Sequence, residues 1–500
     1  MRLAQAAIVA RMLLVFFRRR ALAVGALRLP SVRIGIVVAA LAFAAITTTA
    51  GYLFLRDLVD QRRVWDLLFD VTTVSVVLGV IIAFLFVKVL FMHADGILEL
   101  TYQLPVTNRE RSLAVLLYEA SLTGIVAVGA VLALLIDATL LLGRHSITPI
   151  LLSIVVPAVL TYLVLALVHN LLTRLWVVLG LGGVSAILNV LAVFGVAVVY
   201  SSLNASLVGR LADAYLDENR ADLWVTSVRG FADRFGAPAS LLASLAACAL
   251  LATLVVLLSP GRHVRPTRYT NVRGPWTRRL TPYDLCALRS THALTGAALA
   301  LALALYLFSR GTSPLWALSL LTIGGLYQFT ATAPLRALPG PQVPPGRTLL
   351  RLLRGQLVVV ALACPPLAAL HLVDHRDVPG LLLPLAAAAG AAILTTCLGI
   401  IFPSEKDNPL SVFVGLATLA LAAGFVALTL GLLELGPLGT AVAAVCAIAA
   451  LTVFALGGIH QEESRSRHET HDPGRRLARG GRGPHDRRRR SEHAVADVRR

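Results

Sequence analysis

Only two lysines, Lys88 and Lys406, stand among 43 arginines. A phosphate-cradling loop requires Gly-x4-Gly-Lys-(Ser/Thr). The lysines lie in Val87-Lys88-Val89 and Glu405-Lys406-Asp407, so neither completes that loop. Any ATP or Mg²⁺ chemistry must therefore sit on another polypeptide, and this chain is expected to bind no cofactor. Charges within the long apolar stretches are scarce. Lys88 and Glu119 fall near stretch ends, where long side chains can reach water. Asp137 is the best candidate for an intramembrane proton relay. His371-x3-His375, with Asp374 and Asp377, has a spacing that permits metal binding, but a solvated turn is the better account of it. The five cysteines, Cys248, Cys286, Cys364, Cys397 and Cys446, form no Cys-x-x-Cys pair. Four of them fall in apolar stretches and read as small hydrophobes. Neither a metal site nor a covalent catalytic set is expected.

One polar stretch has a clear local design. Residues 98–120, "LELTYQLPVTNRERSLAVLLYEA", separate two apolar runs. Pro105 disfavours helix at Leu104, so the chain turns there. Thr107 can cap a new helix, with Glu110 three residues on completing a capping box. Arg109 and Arg111 are expected to stay in water. The result is a rigid, charged elbow continuous with the apolar run that follows.

The elements that must hold this elbow are membrane helices. The chain is 57% hydrophobic and 14% charged, with mean hydropathy +0.78, against about 25% charged residues in soluble domains. A bilayer core takes about 20 apolar residues as helix. Twelve stretches qualify: 34–55, 71–92, 114–137, 149–170, 175–200, 238–259, 290–308, 314–332, 356–373, 379–401, 410–433 and 437–458. With the N-terminus inside, inner segments hold 35 of the 45 Lys and Arg, counting Lys88, and outer segments hold 10. This positive-inside asymmetry places both termini in the cytoplasm. It also explains the +18 charge as membrane orientation rather than nucleic-acid binding, so the expected non-protein partner is the lipid bilayer. The arginine excess reads as codon bias in a high-GC bacterium. The expected fold class is an all-α polytopic membrane protein of about twelve transmembrane helices.

Twelve spans divide as six and six. Residues 1–33 carry an amphipathic helix on the inner face, and 34–259 form the first half. The linker 260–289 is basic, and Thr281-Pro282 can start a short helix there. Residues 290–458 form the second half. A weak repeat supports the division: Leu104-Pro105 then Arg111-Ser-Leu-x-x-Leu-Leu, and Leu338-Pro339 then Arg347-Thr-Leu-x-x-Leu-Leu. Both halves start inside, so the repeat is parallel. The tail, 459–500, is rich in arginine and poor in large apolar residues, a composition expected to stay disordered.

The inner segment "LPVTNRERSLAVLL" resembles that of the permease subunits of ABC-2 type exporters. In that family a Leu-Pro-(Val/Leu)-(Ser/Thr)-x-x-Glu segment after the second span couples to the ATPase. Leu104, Pro105, Val106, Thr107 and Glu110 match it. The resemblance implies six spans per unit, an N-terminal interfacial helix, cytoplasmic ends and short outer helices between spans 5 and 6, which 201–235 can supply. It also implies a separate cytoplasmic ATP-binding-cassette subunit holding ATP and Mg²⁺. That subunit would dock at Leu104–Thr107, Arg109, Glu110 and Arg111, and at Leu338, Pro339 and Arg347 in the second half. This chain departs from the pattern in having two fused units, and in a second segment, "LPGPQVPPGRTLLRLL", that is Pro-rich and lacks the glutamate.

Two other classes stay open. A gradient-driven transporter would use buried acids, which are few here. The loop between spans 2 and 3 also lacks the Gly-x3-Asp-Arg-x-Gly-Arg-Arg pattern of the major facilitator family. A membrane enzyme is the third class: Asp57 and Asp60 are similar in placement to the acidic loop of membrane glycosyltransferases, but the loop is short. Gly180, Gly182 and Gly183 can unwind span 5 at a substrate site or allow close helix packing. "SEKDNP" at 404–409 is a second possible cytoplasmic contact.

Overall fold

The structure is a computed structural model that describes residues 2–22, 25–91, 101, 104–218, 223–259, 275–338, 343–375, 377–403, 410–432 and 436–471. Among these residues there are helices and no strands. Backbone polar groups in hydrocarbon must be satisfied within their own segment, and the long apolar runs do so as helix. The first half contains α1 (Leu3–Ala21), α2 (Pro30–Leu55), α3 (Arg62–Phe91), α4 (Asn108–Leu142), α5 (Val156–Val178), α6 (Ser185–Leu216), α7 (Ser227–Phe235) and α8 (Ala237–Leu258). The second contains α9 (Pro282–Arg289), α10 (Thr291–Ser309), α11 (Gly325–Ala331), α12 (Pro345–His375), α13 (Leu382–Ile401), α14 (Leu410–Leu432) and α15 (Pro437–His471). Proline opens α2, α8 and α9, where its missing N–H is an orphan donor in any case.

Among the described residues nine helical stretches are long and apolar enough to cross a membrane, so the chain is a multi-pass, helical membrane protein. The longest, Asn108–Val178, doubles back on itself: Gly143 takes φ +58, and the Tyr162 hydroxyl on α5 donates to the Leu116 carbonyl on α4 at 3.1 Å. In the first half α3 is the hub. Its Val74, Val80, Ile81 and Phe84 are buried in a cluster where α3 packs on α4, α5 and α6. Hydroxyls tie the same helices together, with Thr73 donating to the Ser153 carbonyl at 2.8 Å and Tyr200 to the Val74 carbonyl at 3.0 Å.

Packing repeats between the halves. The helix that opens each half lies on that half's third long helix, α1 on α4 and α9 on α12. The pairs α3–α5 and α5–α8 recur as α11–α13 and α13–α15. Across the halves α2 meets α14 and α10 meets α6, the reciprocal contacts that an approximate two-fold axis demands. Phe43 of α2 fills the space over Gly424 of α14.

Several boundaries differ from the sequence expectation, and span 314–332 is broken into short helical pieces; two of the differences change how residues are read. Span 5 was expected from 175, but α5 runs on to Val178 and α6 begins at Ser185. Gly180 takes φ +77, a conformation that stops a helix, so the three glycines make the turn between two helices and open none. Arg174 consequently lies in the last two turns of α5 and donates to the Leu257 carbonyl at 3.1 Å, capping the end of α8. At the other end of the chain, α15 continues to His471, past the expected start of the tail at 459.

The second half packs backbone on backbone. A Cβ on Gly399 would stand 2.6 Å from the Gly325 carbonyl oxygen and 2.8 Å from that of Leu326. Gly399→Ala is therefore expected to push α11 from α13 and cost about 1–3 kcal/mol. Gly390→Ala, whose Cβ meets only Ile448 at 3.9 Å, is the control. Thermal unfolding in detergent compares the two, and equal midpoints would show that α11 and α13 are not in close contact.

Candidate functional site

The elbow forms as a local capping structure. The Val106 N–H donates to the Leu104 carbonyl at 2.8 Å, turning the chain about Pro105. Thr107 is extended at φ −71, ψ 157. Its Oγ1 accepts from the Glu110 N–H at 3.3 Å, and its own N–H donates to Glu110 Oε2 at 3.0 Å. The anticipated capping box is present and starts α4.

Glu110 does more than cap its own helix. Its side chain is only 2% exposed. Oε1 accepts the Arg2 backbone N–H at 2.8 Å, with the Arg2 guanidinium Nε at 3.8 Å. One carboxylate thus serves the orphan donors of two helix N-termini, those of α4 and α1. Val9, Ala10 and Leu13 of α1 pack with Ala114, Tyr118 and Leu122 of α4 and Val87 of α3, and Leu104 and Val106 close the edge of this cluster. Expected as part of a solvent-facing charged surface, Glu110 is instead a buried clamp, because α1 lies over it. Arg111 is also drawn in: Nε donates to the Thr101 carbonyl at 3.2 Å, and Nη1 donates to Asn108 Oδ1 at 2.8 Å. Pro105, Thr107, Asn108 and Arg109 remain exposed.

Glu110 lies in the first turn of α4, ahead of its apolar part. The Arg2 backbone N–H, then that of Thr107, hold its carboxyl below the usual 4.5. A carboxyl whose folded pKa is lowered contributes stability that is complete above the unfolded value and lost as pH falls through the folded one. Amide exchange in α1 is expected to stay slow at pH 4.5 and accelerate only below it. Release of α1 above that value would show that Glu110 is not the clamp.

The second half builds the same lock with roles exchanged. Leu338 and Arg347 are exposed at the surface, and Pro339 lies outside the described residues. The acid missing from that segment is supplied by α9. Thr281 and Asp284 form a capping box, N–H to Oδ2 2.9 Å and N–H to Oγ1 3.4 Å. Asp284 is fully buried, and Arg354 of α12 stands 3.4 Å from Oδ2. In the first half the third long helix carries the acid and the opening helix the base; here the order is reversed. Sequence reasoning placed the cap at Thr281 but missed Asp284. The Thr-x-x-Asp spacing, parallel to Thr-x-x-Glu at 107–110, was the available signal.

Lys88 and Glu119, expected to reach for water, find each other instead. Nζ lies 2.8 and 2.7 Å from the two carboxylate oxygens, and both side chains are 16% exposed. The Lys88 Nζ also stands 5.3 Å from the Phe84 ring, and the His169 ring meets that same ring edge-on at 6.1 Å between centres. Beside it, Asn189 of α6 donates to Thr173 at 2.6 Å and accepts from the Trp176 indole at 3.0 Å. The polar network joins α3, α4, α5 and α6. Asp137 is buried against Gly51 of α2, and its Oδ1 has no hydrogen-bond partner among the described residues.

Among the described residues no group of three His, Cys, Asp or Glu could hold a metal ion. His371 Nε2 lies 3.1 Å from the Asp377 carbonyl, and the side chains of Asp374 and His375 lie outside the described residues, as does 404–409. The five cysteines are free thiols. Fold and site together define a multi-pass helical membrane protein in which α1 and α9 are locked to long apolar helices. No protein-family model matches the chain, and no curated protein or solved structure is similar to it.

Proposed function

We propose that the chain is the permease of an ATP-driven exporter of the ABC-2 type, with twelve crossings of the cell membrane as six and six and both ends cytoplasmic. A separate cytoplasmic ATP-binding-cassette subunit supplies ATP hydrolysis, and this chain carries out no covalent step. The observation that carries the reading is the buried Glu110 clamp. It makes an exposed elbow, an interfacial helix and a long apolar helix into one rigid body, so a force on the elbow is delivered to α4. The exchanged lock at Asp284 and the reciprocal α2–α14 and α10–α6 contacts support two units working about one axis.

On this reading the exposed residues, Pro105, Thr107 and Arg109, touch the ATPase, and Glu110 positions them. Affinity purification in detergent from the native host is expected to bring a nucleotide-binding subunit along. Arg109→Glu is expected to reduce that recovery while leaving the thermal midpoint unchanged. Purification without any such subunit, or undiminished recovery with Arg109→Glu, would remove the elbow from the mechanism. A gradient-driven transporter is the second reading, favoured by the buried, unpartnered Asp137 oxygen. Transport that tracks the proton gradient in ATP-depleted vesicles and is lost in Asp137→Asn would select it.

A further inference from the structure

Residues 1–33 carry seven arginines, and the first acid of the chain is Asp57. Residues 92–112, which join α3 to α4, add two arginines and three acids, Asp95, Glu99 and Glu110. Even with all three acids paired, the side chains of these two segments keep a balance of +6. Some of the arginines are used within the protein. Arg2 is held by Glu110, and Arg33 donates to the Leu27 and Leu22 carbonyls. Arg11, Arg18 and Arg19 of α1 are different. All three are exposed, and their side chains make no hydrogen bond or ion pair among the described residues.

The three share one side of the helix. Ala6, Val9, Ala10 and Leu13 form the buried side of α1. At 3.6 residues per turn, Ile8, Arg11, Val15, Arg18 and Arg19 fall opposite it, so the outward side is basic and apolar together. Ile8 is 66% exposed there. A groove of about 710 Å³ runs along the edge of this side, lined among the described residues by Met12, Val15, Phe16 and Arg19. Three of those side chains are apolar and the fourth ends in a guanidinium. Packing sets the depth of the helix. Val9, Ala10 and Leu13 share a cluster with Val87, which lies four residues before α3 ends at Phe91. The arginines therefore stand level with the ends of the apolar helices, where a bilayer presents its phosphates.

We propose that the outward side of α1 is a binding site for one anionic phospholipid. Arg11, Arg18 and Arg19 take the phosphate and headgroup through charge-assisted N–H donors. The start of an acyl chain lies along Met12, Val15 and Phe16. A zwitterionic lipid offers the same phosphate but brings its own ammonium, so it gains less from three guanidinium groups. α1 is then held by Glu110 at its N-terminus and by lipid over its last turns. The site is independent of what energises the protein, so it is tested on the purified full chain in nanodiscs. Phosphatidylglycerol in a phosphatidylcholine bilayer is the probe, phosphatidylethanolamine the zwitterionic control, and amide exchange of residues 11–21 the signal. The expected result is exchange that slows by roughly fivefold or more and levels off as the share of phosphatidylglycerol rises. The share needed for half the effect is expected to rise by roughly tenfold in Arg18→Gln/Arg19→Gln. It is expected to stay the same in Arg278→Gln/Arg279→Gln, which removes two exposed arginines elsewhere. Slowing that never levels off, is matched by phosphatidylethanolamine, or is equal in the two double variants would overturn the site and leave only diffuse attraction to a charged bilayer. Should Arg18→Gln/Arg19→Gln fail to fold, native mass spectrometry of the unaltered chain, released from nanodiscs holding equal phosphatidylglycerol and phosphatidylcholine, decides. One phosphatidylglycerol retained per chain supports the site, and equal retention of both lipids refutes it.

Discussion

Lys88→Ala is expected to lower stability by about 3–5 kcal/mol, and Glu119→Ala by a similar amount, because each strands a buried charge. The pair links α3 to α4 with both carboxylate oxygens engaged, and each side chain is 16% exposed. The double variant Lys88→Met/Glu119→Leu removes both charges and keeps apolar volume, so it is expected to recover most of the loss. Thermal unfolding of the wild type, the two single alanine variants and Lys88→Ala/Glu119→Ala in one detergent closes the cycle, with Lys88→Met/Glu119→Leu measured beside them. If the single losses simply add in a Lys88→Ala/Glu119→Ala protein, water reaches the pair and the network is not a lock.

Glu110→Ala is expected to have the largest effect on partner binding. It removes the acceptor for the Arg2 and Thr107 N–H groups together. With α1 unpinned, residues 3–21 become accessible to protease, and recovery of the ATPase falls by roughly tenfold or more, the scale of one lost cap. Glu110→Gln keeps an acceptor oxygen and is expected to lie between the two. Asp284→Ala is expected to free α9 in the same way, since it deletes the second box and the Arg354 contact. Intact α1 protection in Glu110→Ala would separate the carboxylate from the packing of Val9, Ala10 and Leu13, and the clamp would then be hydrophobic alone.

The elements that were legible were those whose signal is local. The box at Thr107 and Glu110 could be read because both partners lie within one turn. The helix after Thr281 could be read because proline fits the first turn and no later one. The short helix α7 fell within the expected 201–235. What was misread depended on neighbours distant in sequence. Glu110 looked like a surface charge because the helix that buries it begins 108 residues earlier. Lys88 and Glu119 looked like separate snorkelling groups because the antiparallel packing of α3 and α4, which joins them across 31 residues, has no local signature. The glycines at 180, 182 and 183 were placed inside a span, to unwind it or to pack closely, because a left-handed φ at Gly180, and hence a helix end, is invisible in composition.

By itself, the order of residues determined the membrane class, the run of apolar helices, their capped starts and the absence of a phosphate loop. Each follows from segment length, hydropathy or a spacing of three or four residues, quantities settled within a single helix. Tertiary structure alone decided which charges are surface and which are clamps, and how Asp284 substitutes for a missing glutamate. Those outcomes depend on which helices become neighbours, and in lipid that choice is made by the fit of small residues and the pairing of buried polar groups across the whole bundle.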